Sequence, residues 1–425
     1  MGMVRCVTES ISTKESNALA MGHLSPDGQM SSTTANDAGP AAGVRWDLSD
    51  LYGGADDPTI EADLDRTIDQ ARAFADRYRG KVASLEPAEL ATAIDTLEDL
   101  QERPTAAGTY AGLLFAAETA NPAHGALLQK IQERTSEIRN TLVFFELEWV
   151  AVDDDRARAL LSEPALARRR HLLESMRRYR PHLLSEPEER LLEETANTGE
   201  RAFSRLFDEI LGSARFHVEL DGERTELGEE EVLSLLYEAD REKRRSGARA
   251  LSAGLREHSR TLAFIFNTLV QDKAVRDRLR RYQDPIDSRN LANEIDGASV
   301  RALLDVCERG HPLVHRYYRL KARLLGIDQL EDYDRYAPVG EAAGTRSFEE
   351  ARRIVLGAFG DFAPAMAEIA GQFFAMSWID AELRPGKRGG AFSASTVPDA
   401  HPYVLLNYTG NLRDVMTVAH ELGHG

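Results

Sequence analysis

Hydrophobic residues recur at helical spacing along most of the chain. In TIEADLDRTIDQARAFADRYRG, residues 59–80, apolar side chains fall every three or four positions and polar ones fill the opposite face. Those apolar positions are Ile60, Leu64, Ile68, Ala71 and Phe74. Pro87 begins a second stretch of this kind, at the first-turn position that proline favours. The periodicity continues to about residue 210 and predicts a mostly α-helical protein.

One segment departs from this period. In RFHVELDGERTEL, residues 215–227, the apolar side chains of Phe216, Val218 and Leu220 alternate with polar ones, as on a half-buried strand. Asp221-Gly222 follows, a pair that readily adopts the positive φ angles of a two-residue turn. The segment therefore predicts a β-hairpin between two helical regions.

The last 45 residues change character again. Gly and Pro are frequent in PGKRGGAFSASTVPDAHPYVLLNYTGN, residues 385–411, and its apolar parts GAFSAS and YVLLNY predict two short strands. NLRDVMTVAHELGHG then returns to a helical pattern, with Asn411 as N-cap and Asp414 near the positive helix end. The predicted fold class is mostly α, a multi-helix fold with a small β element next to the terminal helix.

Composition narrows the possible functions. Acidic residues outnumber basic ones 70 to 52, a net charge of −18 that argues against nucleic-acid partners and against an anionic membrane surface. The basic runs at 168–170, 243–245 and 278–281 lie among acids at helical spacing, which is typical of solvated helix faces. Cys6 and Cys307 form neither a disulfide framework nor a Cys-type zinc site, and no signal peptide or membrane-spanning run is apparent. We therefore expect a cytoplasmic protein.

A metal-binding pattern lies in the terminal helix. His420 and His424 are four residues apart, so both imidazoles can bind one Zn²⁺ from the same helix face. Glu421 is rotated away from the line between them, where its carboxylate can reach a water molecule on the metal. Zinc acidifies such a water and polarises a scissile carbonyl, while the carboxylate takes the proton. The pattern predicts one Zn²⁺ per site, with His420 and His424 as ligands and Glu421 as the catalytic residue.

The residues before this motif support the same interpretation. Val415, Met416, Val418 and Ala419 are apolar and predict a buried helix. Two buried histidines without partners would be costly unless a metal satisfied them.

Four stretches together resemble a known family. They are WDLSDLY (46–52), HPLVHRYYRLKARLLGIDQLEDYDRYAP (311–338), GKRGGAFS (386–393) and YVLLNYTGNLRDVMTVAHELGHG (403–425). The chain is similar in these stretches to the oligoendopeptidase F group of the thimet-oligopeptidase-like (M3) zinc metallopeptidases.

The resemblance implies a domain arrangement. Residues 1–43, rich in Ser, Thr, Gly and Ala, are expected to be a disordered tail. An N-terminal helical domain (44–205) and part of a catalytic domain (206–425) would then enclose a deep channel that admits short unfolded peptides.

The resemblance also implies a substrate-binding strand beside the zinc. The corresponding residues here are Gly389, Gly390, Ala391 and Phe392, and paired glycines would let a substrate backbone approach closely. The alternative is a plain Gly-rich turn before a core strand.

The family's third zinc ligand, a Glu on a helix after the motif, has no counterpart in these 425 residues, nor do the His and Tyr residues beyond it. We therefore expect a chain truncated just after the motif. Glu331, Asp332 and Asp380 are formal substitutes for the third ligand. Without the following segment, the apolar side chains of Val415, Met416 and Val418 should be partly exposed.

The expected function is zinc-dependent hydrolysis of peptide bonds in short unfolded oligopeptides. Two alternatives stay open: an inactive helical remnant that at most binds peptides or partner proteins, and a metzincin, against which the long helical N-terminal region argues.

Overall fold

The computed structural model describes residues 39–340 and 344–425. Most of the segment expected to be a disordered tail, residues 1–38, lies outside these ranges. Its last residues, 39–43, are part of the fold: Ala41 is buried and the carbonyl of Pro40 accepts a hydrogen bond from the Phe348 amide. The predicted end of the tail at residue 43 is therefore too late in the chain, because residues 39–43 belong to the fold.

Three long helices form the N-terminal core. They are α1 (Pro58–Tyr78), α2 (Pro87–Ala117) and α3 (Pro122–Ala151), and each begins with proline in its first turn. The helical prediction for residues 59–80 is confirmed, since all five apolar positions that define it are buried. The rings of Phe74 and Phe145 lie 5.6 Å apart in the shared core.

Shorter helices continue the chain and lead into the hairpin. They are α4 (Asp154–Ser162), α5 (Arg170–Arg178), α6 (Glu186–Ala196) and α7 (Glu200–Ser213). The expected domain boundary between 205 and 206 falls inside α7, so the two-domain division stays a prediction.

The hairpin prediction is confirmed. β1 (Phe216–Leu220) pairs antiparallel with β2 (Glu223–Leu227), and the turn residues Asp221 and Gly222 both have positive φ, 51° and 85°. Phe216 and Val218 are buried beneath the next long helix, where the Phe216 ring lies so close to Gly254 that a side chain there would collide with it.

The middle of the chain is built from α8 (Glu229–Ser234), α9 (Arg241–Leu279), α10 (Asp287–Ala292) and α11 (Gly297–Leu325). α11 is amphipathic, yet large apolar side chains on it stay exposed, among them Leu303 (63%), Leu313 (61%) and Leu324 (60%). Among the helices of residues 39–340 and 344–425, none is long and apolar enough to cross a bilayer.

A three-stranded sheet lies at the end of the described chain. After α12 (Phe348–Phe362) and α13 (Pro364–Ala375) come β3 (Ile379–Asp380), β4 (Phe392–Ala394), β5 (Tyr403–Leu405) and the helix α14 (Leu412–His424). The strand order is β3-β5-β4, with β3 parallel and β4 antiparallel to the central β5. The two predicted strands are present, whereas β3 was not predicted because two residues give no periodic signal.

The N-terminal WDLSDLY stretch packs against this sheet. The Asp47 amide donates a hydrogen bond to the Ser377 carbonyl at 2.8 Å. The Asp50 carboxylate lies 3.0 Å from His401 Nε2. His401 stacks on Trp378 with ring centroids 3.6 Å apart. The first described residues and the last strands therefore form one unit.

A buried carboxylate joins α9 to the segment after α11. Asp334 is completely buried and accepts from Arg244 at 2.8 Å, from Arg241 at 2.7 Å and from the Glu331 amide at 3.0 Å. Burial alone would raise the pKa of Asp334, but the hydrogen bonds and charges of the two guanidinium groups outweigh it and lower the pKa to about 2. Asp334 is therefore ionised in the folded protein across the physiological range.

We expect Asp334→Asn to lower the free energy of unfolding by about 3–5 kcal/mol at neutral pH, because Arg244 would be left buried without its charge partner. The wild-type chain should lose part of this stabilisation as the pH falls from the ordinary carboxyl pKa of 3.8 to below about 2, since unfolding then takes up a proton that the folded state resists. Urea unfolding over a pH series measures both effects.

Glu242→Gln serves as the control for this experiment, because the ion pair of Glu242 with Arg245 on the same helix is exposed. Glu242→Gln should lower the free energy of unfolding by less than about 0.5 kcal/mol. Equal stability of Asp334→Asn and Glu242→Gln at neutral pH would contradict the structural role of Asp334.

Candidate metal centre

The terminal helix is fixed at its first turn. The Asn411 side chain caps α14 by accepting from the Asp414 amide at 3.0 Å. Asp414 in turn accepts from the amides of Thr409 (2.7 Å) and Gly410 (2.9 Å), which places a negative charge at the positive end of the helix. The predicted helix and its N-cap are confirmed.

One face of α14 is buried in the sheet and the preceding helices. Val415, Val418 and Leu422 belong to a core cluster that also contains Phe348 of α12 and Phe373 of α13. The expectation that Val415 and Val418 would be partly exposed is wrong, because α12, α13 and the sheet already cover this face. Met416, on another face, is 64% exposed as expected.

The two histidine side chains lie together on the open face of the helix. The Nε2 atoms of His420 and His424 are 3.3 Å apart, and the ring planes meet at 87°. Both residues are exposed, so the pair faces solvent rather than the core. The helical spacing therefore brings both imidazoles to one point, as predicted.

The distance between the two imidazole nitrogens fits that between two ligands of one zinc ion. Zinc–nitrogen distances of about 2.0–2.1 Å at tetrahedral angles place two ligand nitrogens about 3.3–3.4 Å apart. The separation of the two Nε2 atoms agrees with this spacing. Within residues 39–340 and 344–425, no group of three or more His, Cys, Asp or Glu side chains forms a metal site. The described chain thus supplies a two-histidine half-site.

The proposed substitutes for a third ligand lie elsewhere. Asp380 is buried and forms ion pairs with Arg384 (2.7 Å) and Lys387 (2.6 Å). The other two, Glu331 and Asp332, begin the turn that carries Asp334. None of the three joins the histidine pair in a metal site.

Glu421 lies between the histidine pair and the sheet. Its side chain is buried (7% exposed), and burial raises its pKa above the ordinary value. The charges of His420 and His424 and the main-chain amide of Ser393 act in the opposite direction. Glu421 is therefore close to both imidazoles and to strand β4.

β4 is an edge strand of this sheet and is in contact with α14. In the β5 segment, the amides of Val404 and Leu406 donate hydrogen bonds to the carbonyls of Trp378 and Asp380, on the side of β3. The backbone N–H and C=O of Leu405, which lies between them, therefore point towards β4. In the β4–β5 register, Ser393 lies opposite Val404. Its N–H and C=O therefore point away from β5.

The two glycines predicted to contact substrate have other partners in this structure. The Gly390 amide donates to Glu230 at 2.6 Å, and its carbonyl accepts from Asn407 at 2.8 Å. Gly390 has φ of +82°, which only glycine adopts easily, and a side chain at Gly389 would lie 3.0 Å or less from the carboxylates of Glu229 and Glu230. The positive φ accounts for glycine at 390, in a tight turn that leads into β4.

The two following residues, Ala391 and Phe392, carry the chain into β4. Phe392 is buried and pairs with Leu405 of β5, so its backbone is already used within the sheet. The substrate-binding role of all four residues stays a prediction.

Two tyrosines hold α14 at its first turn through Arg413. The guanidinium group of Arg413 lies against the rings of Tyr237 and Tyr336, 5.6 Å and 5.4 Å from their centroids, and it hydrogen-bonds the Tyr237 hydroxyl. Tyr336 follows Asp334 by two residues, so this contact connects α14 to the segment that Asp334 holds against α9. No sequence motif identified Arg413 in advance, because its partners lie far away along the chain.

Comparison with protein families places most of the chain. A profile described as oligopeptidase F matches residues 148–216, and the profile of peptidase family M3 matches residues 234–425.

Curated proteins give the same relationship. Group B oligopeptidase PepB of Streptococcus agalactiae serotype III (strain NEM316) is 27% identical over 389 residues, which cover 89% of this chain and 63% of that protein. Oligopeptidase PepF of Bacillus subtilis (strain 168) is 25% identical over 353 residues, which cover 82% of this chain and 52% of that protein. The chain thus spans between half and two thirds of the length of these relatives.

Solved structures share the fold. Oligoendopeptidase-F from Enterococcus faecium superimposes with a TM-score of 0.60 at 21% identity, covering 75% of this chain and 62% of that one. PZ peptidase A with inhibitor 2 gives a TM-score of 0.67 at 13% identity, covering 89% and 64%.

We expect His420→Ala and His424→Ala each to weaken zinc binding at least about tenfold, because a single imidazole cannot chelate the ion. His217→Ala is the control, since this exposed histidine lies on the hairpin strand β1. Competition with a chromophoric chelator measures the affinities. Equal zinc affinity in all three variants would show that the pair is not the metal site.

Proposed function

The chain belongs to peptidase family M3, in its oligopeptidase F group, and on this premise we propose that it is a zinc-dependent endopeptidase for short oligopeptides. The observation that carries the proposal is the convergence of the His420 and His424 Nε2 atoms, 3.3 Å apart, with Glu421 beside them. Membership of this family also removes the metzincin alternative.

Each of the three motif residues has a distinct part in the proposed reaction. His420 and His424 would hold the ion through Nε2. Bound zinc would supply Lewis-acid polarisation of the peptide carbonyl and a more acidic water. Glu421, held next to the pair, would take the proton from the attacking water and pass it to the leaving amine.

The outer edge of β4 supports the proposed substrate class. Ser393 has its backbone N–H and C=O on the side of the strand away from β5. An extended peptide adds to such an edge through main-chain hydrogen bonds, and a folded protein cannot offer a free strand there. We therefore keep short, unfolded peptides as the proposed substrates.

A second candidate function follows from the half-site. The described residues offer two metal ligands. A chain that binds peptides along β4 without cleaving them would need no third ligand. Zinc content and peptide cleavage, measured on the same preparation, separate the two. Zinc with turnover supports the peptidase, whereas peptide binding without turnover supports the second function.

Replacing Glu421 with Gln should leave zinc bound and lower peptide hydrolysis by about 10²- to 10⁴-fold, because the carboxylate acts on the water and does not hold the metal. Metal content and turnover of a fluorogenic peptide are measured together. Near-normal turnover of this variant would refute the role assigned to Glu421.

Substrate length provides a further test. We expect cleavage of unstructured peptides and no cleavage of a folded protein, because strand addition needs a free extended backbone. Mass spectrometry of an equimolar mixture of a short peptide and a stable globular protein measures both at once. Fragmentation of the folded protein at a similar rate would contradict this substrate class.

A further inference from the structure

We propose that His401 makes the docking of the WDLSDLY stretch (residues 46–52) sensitive to pH: the doubly protonated ring holds Asp50 on the sheet, and loss of one ring proton loosens this contact. The inference needs neither a metal nor a substrate, so it stands apart from the proposed function. It concerns a histidine outside the metal-binding pattern.

Both ring nitrogens of His401 face acceptor oxygens. Nε2 lies 3.0 Å from the Asp50 carboxylate, and Nδ1 lies 3.1 Å from the carbonyl oxygen of Pro402. A neutral imidazole carries one N–H and one lone pair, so it can donate to only one of these oxygens. The imidazolium form carries an N–H on each nitrogen and satisfies both. The geometry therefore fits the doubly protonated ring.

The stacking partner of the ring favours the same form. The ring of His401 lies on the indole of Trp378, with centroids 3.6 Å apart and planes inclined by 12°. A cation over the face of an indole is attracted by the negative charge of its π system. The His401 side chain is only 16% exposed, so water screens this attraction less than it would at an open surface.

The other groups that face the ring are acidic or neutral. The WDLSDLY stretch contributes Asp50 and also Asp47, whose pKa is lowered by hydrogen bonds from a neighbouring serine. On the same loop as His401, Asp399 lines the cleft that also contains Asp50. β5 contributes Tyr403, which stays neutral because burial and the charges of Asp50 and Asp47 raise its pKa. This negative surrounding stabilises a positive ring.

Two arginines from the first helices reach the same cleft without reversing its charge. Arg103 of α2 is paired with Asp63 at 2.6 Å, and Arg77 belongs to α1. More carboxylates than guanidinium groups line the cleft. Its field therefore also favours the protonated form of His401.

The direction of the pH effect follows from the ring chemistry. Imidazole ordinarily gains or loses its second proton near neutral pH. When the pH rises through this range, one ring nitrogen keeps only a lone pair and then faces an oxygen that cannot donate. The contact with Asp50 loses its charge attraction, or the ring loses its hydrogen bond to Pro402. Docking is therefore firmest in weakly acidic solution, where the carboxylates are ionised and the ring is charged.

The backbone amide of Asp47 reports on this contact, because it donates to the Ser377 carbonyl where the stretch meets the sheet. Its protection against hydrogen exchange measures how firmly the stretch is docked. In the wild-type chain we expect the protection factor, corrected for the intrinsic pH dependence of exchange, to fall about threefold to tenfold between about pH 5.5 and about pH 8.5. This is the size expected for one partly exposed ion pair and one cation–π contact.

His401→Gln assigns the effect to the ring. Glutamine can still donate to Asp50 but carries no proton that titrates in this range, so the fall should disappear. Lys387, whose pKa of about 8 lies in the same range, is present in every variant, so its contribution is the same in each. The difference between wild type and His401→Gln therefore isolates His401.

Asp50→Asn keeps the test decisive should His401→Gln fail to fold, because the Asp50 side chain is 59% exposed and its replacement leaves the core intact. This variant should lower the protection of the Asp47 amide at about pH 5.5 and show a smaller fall towards about pH 8.5. Asp56→Asn is the matched control, since it removes a nearby exposed carboxylate and should behave like the wild type.

Two results would overturn the proposal. A wild-type protection factor that is the same at both pH values would show that docking does not respond to the ring proton. An equal fall in wild type and His401→Gln, or in wild type and Asp50→Asn, would show that the response comes from another group.

Discussion

A buried ammonium group holds the sheet and the turn before β4 in one arrangement. Lys387 Nζ pairs with the Asp380 carboxylate at 2.6 Å and donates to the carbonyls of Leu406 (2.6 Å) and Glu382 (2.9 Å). Burial lowers the pKa of Lys387 to about 8, although the charge and hydrogen bond of Asp380 act against this. A buried charge of this kind persists only where its partners satisfy it, so the lysine fixes every group that it touches. Those groups belong to β3, to the segment after β5 and to the loop between β3 and β4.

The position of the candidate site depends on this loop. The Gly386 carbonyl accepts from the Thr119 amide at 2.6 Å, and the Arg388 amide donates to the Ala116 carbonyl at 2.8 Å, which connects the loop to α2. The loop then leads into β4, which is in contact with α14. Arg413 holds the first turn of α14 through its two tyrosine contacts.

Local sequence signals predict the parts of the structure that depend on nearby residues. The helical periodicity, the turn at 221–222 and the spacing of the two motif histidines all act over a few positions, and all were predicted correctly. The missed features depend on partners far along the chain. Ile379 is a strand residue only because β5 lies beside it, and Glu230 binds a backbone amide 160 positions away. The amide of Ser393 could not be predicted at all, since every residue except proline carries one and only the register gives it a direction.

The docking of the WDLSDLY stretch on the sheet has a consequence for how the protein folds. Asp50 and His401 are 351 positions apart, whereas β3, β5 and α14 all lie within the last 50 residues. Closing so long a loop is slow, although each doubling of loop length adds only about 0.6 kcal/mol to its entropic cost. During synthesis, Asp47 is made long before Ser377, so the Asp47 amide has no acceptor in the sheet until the later segment has been made. The WDLSDLY stretch, although made early, therefore docks on the sheet only after the sheet has formed. Until it docks, the aromatic ring of Trp378 is exposed to solvent and to other chains.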